Sequence, residues 1–126
     1  MASVLDASAL LAFLFGEPGA ERVEVEIASG ATSTVNWAEV WQKMLDRGAP
    51  PEEGKAAVLR AGLELVSLST DAAERAARLR DATRAAGLSL ADRCCLALAA
   101  ERGVSALTTD AAWTSVDLGI DVQLIR

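Results

Sequence analysis

The chain contains no histidine. This removes the side chain most used as a general base near neutral pH and the commonest nitrogen ligand of zinc. Cysteine is confined to the neighbours Cys94 and Cys95. Adjacent thiols on a helix are poorly placed for a disulfide and two thiols alone make no zinc site, so both read as small buried apolar groups. No apolar run reaches the ~18–20 residues of a membrane-spanning helix. The opening Met-Ala-Ser lacks the basic region of a secretory signal, and a cytoplasmic protein with no membrane partner is expected. Basic residues are in the minority, 12 against 18 acidic, for a net charge of −6. That balance argues against general electrostatic binding of nucleic acid. It leaves room for a polyanionic substrate where metal ions carry positive charge into an acidic cleft, and it favours a basic protein partner.

What is present is enough for one domain. The 126 residues are 52% apolar, with charges spread throughout, so a packed core is expected rather than disorder. Short apolar, β-branched runs at 3–5, 31–35, 63–68, 104–108 and 121–125 read as strands. Between them, helical periodicity covers 7–15, 37–47, 50–60, 70–86 and 90–101, with a short helix at 110–115. Pro18 is placed to open a further helix running to Gly30, although Val23-Glu-Val-Glu-Ile27 alternates as a strand does. Glycines 16, 48, 62, 87 and 103 stand at the helix ends. Strands alternating with helices predict an α/β fold, a single domain over residues 1–126 with a parallel sheet and helices on both faces. Sites in such folds form at the carboxyl ends of the strands.

Four acids fall at that rim. Asp6 and Asp110 follow the first and fourth strands, Glu39 lies early in the helix leaving the second, and Asp92 early in the helix that leads back to the fourth. Each also has a local explanation. Asn36-x-x-Glu39 and Ser89-x-x-Asp92 match capping-box spacing, and Asp110 suits an N-cap. Asp6 is hardest to explain locally. A charge ending a central strand costs several kcal/mol unless it is paired or metal-bound. Four converging carboxylates repel one another unless a cation joins them, and oxygen-only donors suit hard divalent ions that activate water on phosphodiesters.

Taken together, Leu-Asp-Ala-Ser-Ala-Leu-Leu, Asn-Trp-Ala-Glu-Val, Leu-Ala-Asp-Arg-Cys-Cys-Leu-Ala-Leu-Ala and Leu-Thr-Thr-Asp-Ala-Ala-Trp resemble the PIN-domain nucleases, in particular the VapC-type toxins of toxin–antitoxin pairs. The resemblance runs from Val4 to the last strand. It implies a five-stranded parallel sheet and an endoribonuclease dependent on Mg²⁺ or Mn²⁺. It also implies inhibition by a cognate antitoxin that reaches the acidic pocket, and a homodimer. By motif position Asp6, Glu39, Asp92 and Asp110 are the catalytic and metal-holding quartet, with the hydroxyls of Ser8 and Thr108 beside the metal. Where some relatives carry another charged residue after the fourth acid, this chain has Ala111 and Ala112.

Among the remaining residues, Arg93 and Lys43 are candidates for contact with RNA phosphates, while Arg47 reads as solvated charge. The arginines at 75, 78, 80 and 84 interleave with Glu74 and Asp81, a pattern of pairing within a helix. Only five aromatics occur, and Trp37, Trp41, Phe13 and Phe15 read either as core or as the wall of a groove for an antitoxin helix. An aspartyl phosphohydrolase is a weaker reading. That chemistry calls for a second carboxylate two residues after the first, where Ser8 stands, and for a nearby lysine. A stand-alone RNA-processing nuclease, or a non-catalytic module binding partners through its acidic rim, remain open alternatives.

Overall fold

A computed structural model describes residues 2–126. Its elements, in order, are β1 (Ser3–Leu5), α1 (Ala7–Phe15), α2 (Ala20–Glu26), β2 (Gly30–Ser33), α3 (Thr34–Asp46), α4 (Pro51–Arg60), β3 (Glu64–Val66), α5 (Thr70–Arg78), α6 (Arg80–Thr83), α7 (Leu90–Arg102), β4 (Ser105–Thr108) and β5 (Val122–Leu124). Single 3₁₀ turns at Ile27–Ser29 and Ala111–Ser115 complete the chain. No helix among the described residues is long and apolar enough to cross a membrane.

The strands form one parallel sheet in the order β3-β2-β1-β4-β5. The chain first builds outward from β1 through β2 to β3, then returns across the sheet to place β4 on the other side of β1. That reversal opens a crevice at the carboxyl ends of β1 and β4. Period-two alternation assigns the two faces. Leu5 and its partner Leu107 pack with α1 to α4, in a core holding Leu10, Val23, Val40 and Val58. Val4 and its partner Ala106 face α7, with Leu96, Leu88 and Trp113. Both faces of β1 are therefore covered, and the strand ends inside the protein.

Local chemistry explains most boundaries. Gly16 ends α1 in the left-handed conformation (φ 63°), which a residue with a Cβ adopts only at a cost. Gly54 lets α4 approach α3, because a Cβ there would sit 2.5 Å from the Met44 sulfur. The expected strand or helix over 18–30 resolves as helix, but it begins at Ala20, with Pro18 left in the preceding turn and Gly19 (φ 96°) as the N-cap.

Three boundaries differ from expectation in ways that bear on the site. The second strand stops at Ser33 rather than residue 35, because the Ser33 hydroxyl accepts the Asn36 N–H (3.2 Å) and caps α3 three residues early. The Asn36–Glu39 capping box therefore does not form, and Glu39 lies in the second turn of its helix. The single helix expected over 70–86 breaks at Leu79, whose carbonyl also accepts the Thr83 hydroxyl (2.8 Å). The third strand pairs only over Glu64–Val66.

Candidate active site

Asp6 leaves β1 and becomes the N-cap of α1. Its backbone N–H still donates to the Leu107 carbonyl (3.1 Å), while its Oδ1 accepts the Ala9 N–H (2.8 Å) and the Ser8 hydroxyl (2.7 Å). Its Oδ2 accepts the fully buried Thr108 hydroxyl from the end of β4 (2.6 Å). On the far side, the Thr32 hydroxyl donates to the Leu5 carbonyl (2.8 Å), carrying the contact between β1 and β2 past the paired residues. Asp6 is thus held from two elements, α1 and β4, at 5% exposure. Burial raises its pKa from 3.8 to about 6; the hydrogen bonds from Thr108, Ala9 and Ser8 oppose that rise, and Asp92 adds to it.

The two hydroxyls tie the loops after β1 and β4 together. The Ser8 oxygen accepts the Thr109 N–H (3.0 Å), and the Thr108 oxygen accepts the Asp110 N–H (3.0 Å). Asp110 is exposed and caps the following 3₁₀ turn through Oδ1, which accepts the Ala112 N–H (2.9 Å). Asp92 completes a capping box on α7. Its Oδ2 accepts the Ser89 N–H (2.9 Å), and its own N–H donates to the Ser89 hydroxyl (3.1 Å). Glu39, half-buried on α3, accepts the Asn36 side-chain amide at Oε1 (3.4 Å). Its pKa is raised chiefly by burial and further by Asp92, with Asn36 and Lys43 pulling the other way.

All four acids line one cleft of about 200 Å³, together with Ala7, Ser8, Leu11 and Lys43. For Asp92 and Asp110 the capping role and the place in the cleft coexist. One carboxylate oxygen holds the helix end, and the other has no protein partner among the described residues. Glu39 likewise leaves Oε2 unbonded, and three of the roughly four lone-pair positions of Asp6 are filled. No lysine or arginine forms an ion pair with any of the four among the described residues. The side chains do not close into a ready cage, since among the described residues no three carboxylates or thiols converge on one point. Their anchored oxygens hold Asp92 and Asp110 at the helix ends. The donor set is nonetheless all oxygen, with unbonded carboxylate oxygens on residues that line one opening and a deeply buried carboxylate among them, and this fits a hard divalent cation.

Three expectations need correction. Arg93 does not reach the cleft. It is 5% exposed, turned into the interface between α5 and α7, where Nη1 donates to the Ala76 carbonyl near the end of α5 (3.0 Å) and Nε has no partner among the described residues. One step along a helix turns a side chain about 100° away from its neighbour, so adjacency to Asp92 does not place it beside Asp92. It is withdrawn as a phosphate contact. Trp37, at 9% exposure, belongs to the core and is withdrawn from the groove. Its edge meets Trp41 with ring centroids 6.2 Å apart, and Trp41, Phe13 and Phe15 stay partly exposed at the margin of that core. The Arg47 guanidinium lies 4.4 Å from the Phe15 ring and also pairs with Glu17 (3.4 Å), so it is not simply solvated. Lys43 lines the cleft. Both cysteines are free and buried.

The sequence paired Asn36 with Glu39 only as a capping box, whereas in the structure Asn36 is a fully buried side chain within the helix whose amide bonds Glu39. Their spacing of three puts both side chains on one face of that helix.

Comparison with known proteins agrees with this fold. A family model for the PIN domain matches residues 3–118, and the chain belongs to the PIN-domain family. Among solved structures, it resembles a toxin–antitoxin complex from Klebsiella pneumoniae with 23% identity and a TM-score of 0.77, covering 98% of each chain. It also resembles VapBC-5, of the VapBC family of toxin–antitoxin systems, from Mycobacterium tuberculosis, with 27% identity and a TM-score of 0.62 over 99% of this chain and 98% of that one. VapC20 of the same organism, a sarcin–ricin loop cleaving toxin, shares 17% identity with a TM-score of 0.77 over 90% of this chain and 93% of its own. Curated protein sequences give no match.

Proposed function

We propose that this protein is a divalent-metal-dependent endoribonuclease, the toxin of a toxin–antitoxin pair, acting through Asp6, Glu39, Asp92 and Asp110. The observation that carries this reading is Asp6. A carboxylate buried at the switch point of a parallel sheet, without a cationic partner and beside three more acids, costs stability and makes sense as a ligand. Membership of the PIN-domain family supports the nuclease, and the toxin–antitoxin complexes among its structural relatives support the antitoxin partner.

Asp6, Asp92 and Asp110 would hold Mg²⁺ or Mn²⁺, with Glu39 completing the set or orienting the attacking water. When bound, such an ion supplies Lewis acidity and lowers the pKa of water. The chain's own part is positional. Ser8 and Thr108 fix the Asp6 carboxylate by two short hydrogen bonds, the helix caps fix Asp92 and Asp110, and Lys43 offers a cation to a phosphate at the cleft. With no histidine to activate the ribose 2′-hydroxyl, in-line attack by water would leave a 5′-phosphate and a 3′-hydroxyl. The partly exposed margin of Trp41, Phe13 and Phe15 is the proposed antitoxin groove, and the chain is proposed to form a homodimer.

A fluorescent RNA incubated with Mn²⁺ tests the chemistry. Cleavage is expected to stop in excess chelator and in Asp6→Asn. A 2′,3′-cyclic phosphate end, or wild-type cleavage by Asp6→Asn, would refute the mechanism. Inducible expression alone and with the neighbouring gene tests the pairing, since growth arrest relieved by the neighbour marks a toxin. Sedimentation of the purified chain reports the dimer.

A further inference from the structure

The side chain of Asn36 makes three hydrogen bonds inside the protein. Its Nδ2 donates to the Ala91 carbonyl in the first turn of α7 (3.1 Å) and to Glu39 Oε1 on its own helix (3.4 Å). Its Oδ1 accepts the Ser33 hydroxyl (2.7 Å), whose oxygen in turn accepts the Asn36 backbone N–H (3.2 Å). The residue is fully buried. Only one orientation of the amide satisfies this set. Reversed, Oδ1 would face a carbonyl and a carboxylate, two acceptors with no proton between them. A buried amide is retained at a cost unless its partners are met, and here the partners lie on two different helices.

Those helices carry two of the cleft's acids. Ala91 is the residue before Asp92, and Glu39 is one turn beyond Asn36. We infer that Asn36 is a positioning residue that fixes Glu39 against the start of α7, so that Glu39 and Asp92 present their free oxygens to one cation. This inference rests on the metal-dependent reading above and extends it to a group that itself touches neither cation nor substrate. A hydrogen bond to one ligand oxygen both orients the carboxylate and leaves its other oxygen free, which is how outer partners tune a metal site.

The test is Mn²⁺ binding by calorimetry to wild type, Asn36→Ala, Glu39→Gln and the double variant, with thermal melts confirming a cooperative fold. Asn36→Ala is expected to weaken the Mn²⁺ Kd by about tenfold or more. Added to Glu39→Gln, it should cost less than about a further twofold, because the amide acts through Glu39. A general loss of stability would not reproduce this non-additivity in the folded fraction. An unchanged Kd in Asn36→Ala overturns the inference, and so does full additivity. If Asn36→Ala does not fold, an NMR titration of wild type with Mg²⁺ decides. The Asn36 side-chain amide signals are expected to move with the same midpoint as those of Glu39, and an amide that stays still while Glu39 responds overturns the role. A wild type that binds no Mn²⁺ refutes the metal reading itself, which separates the two failures.

Discussion

Asp6 and Asp121 sit at opposite ends of the same sheet, and each carboxylate accepts two side-chain hydrogen bonds. Asp121, just before β5, accepts the Ser105 hydroxyl (2.6 Å) and the Gln123 amide (2.8 Å), and its pKa is lowered by them, Ser105 first. Asp6 accepts hydroxyls at 2.6 and 2.7 Å, yet its pKa rises to about 6. The hydrogen bonds are alike, and the difference is water. Asp121 lies exposed at the amino end, whereas Asp6 lies under α1 at the carboxyl end with both faces of its strand covered. Hydrogen bonds favour a charge, but here they do not repay the loss of its solvent. One end of the sheet uses its polar groups to tie the edge together, and the other holds a buried carboxylate with no cationic partner among the described residues.

The largest effect should separate the two ends in activity. Asp6→Asn is expected to lower RNA cleavage by more than about a hundredfold, whereas Asp121→Asn should stay within about twofold of wild type. Equal losses would show that the amino end is part of the site.

Stability against pH should separate them next. The folded Asp6 carboxyl keeps its proton up to about pH 6, while an unfolded one releases it near 3.8. In metal-free protein, stability from this group is therefore full below pH 3.8 and is lost as pH rises toward 6. Urea unfolding should find metal-free Asp6→Asn more stable than wild type at pH 7 by up to about 3 kcal/mol, with the gap closing by pH 4. Asp121 has the opposite sign, contributing stability above its unfolded pKa that is lost as pH falls.

Thr108→Val sharpens the contrast. It removes the hydroxyl that opposes the rise at Asp6 and should cost about 1–3 kcal/mol at pH 7. The cost should shrink at pH 4, where the carboxyl is neutral. Ser105→Ala, which deletes the matching hydroxyl beside exposed Asp121, should cost under about 1 kcal/mol and leave cleavage unchanged.

The sequence made much of this legible because the relevant signals are local. The placement of β1, β4 and α7 was readable from short apolar runs and the Ser89–Asp92 box, and with them the rim that carries Asp6, Asp92 and Asp110. The errors fell where a second partner intervened. Ser33 took the N–H of Asn36 and moved the start of α3, Thr83 shared the Leu79 carbonyl where one long helix breaks, and the Ala76 carbonyl drew Arg93 away from the acids. Asn36 was legible only as a capping partner of Glu39, because its bond to the Ala91 carbonyl joins residues distant in the chain.

Periodicity, caps and strand-ending acids are written in neighbouring residues, so the parallel α/β order and the meeting of four acids at one rim followed from the chain. Which charges would be stripped of water could only be settled by packing, because burial is a sum over side chains brought from every element. That sum raised Asp6, sank Arg93 and Trp37 into the interior, left Lys43 at the cleft, and made a helix-start asparagine join Glu39 to the first turn of α7.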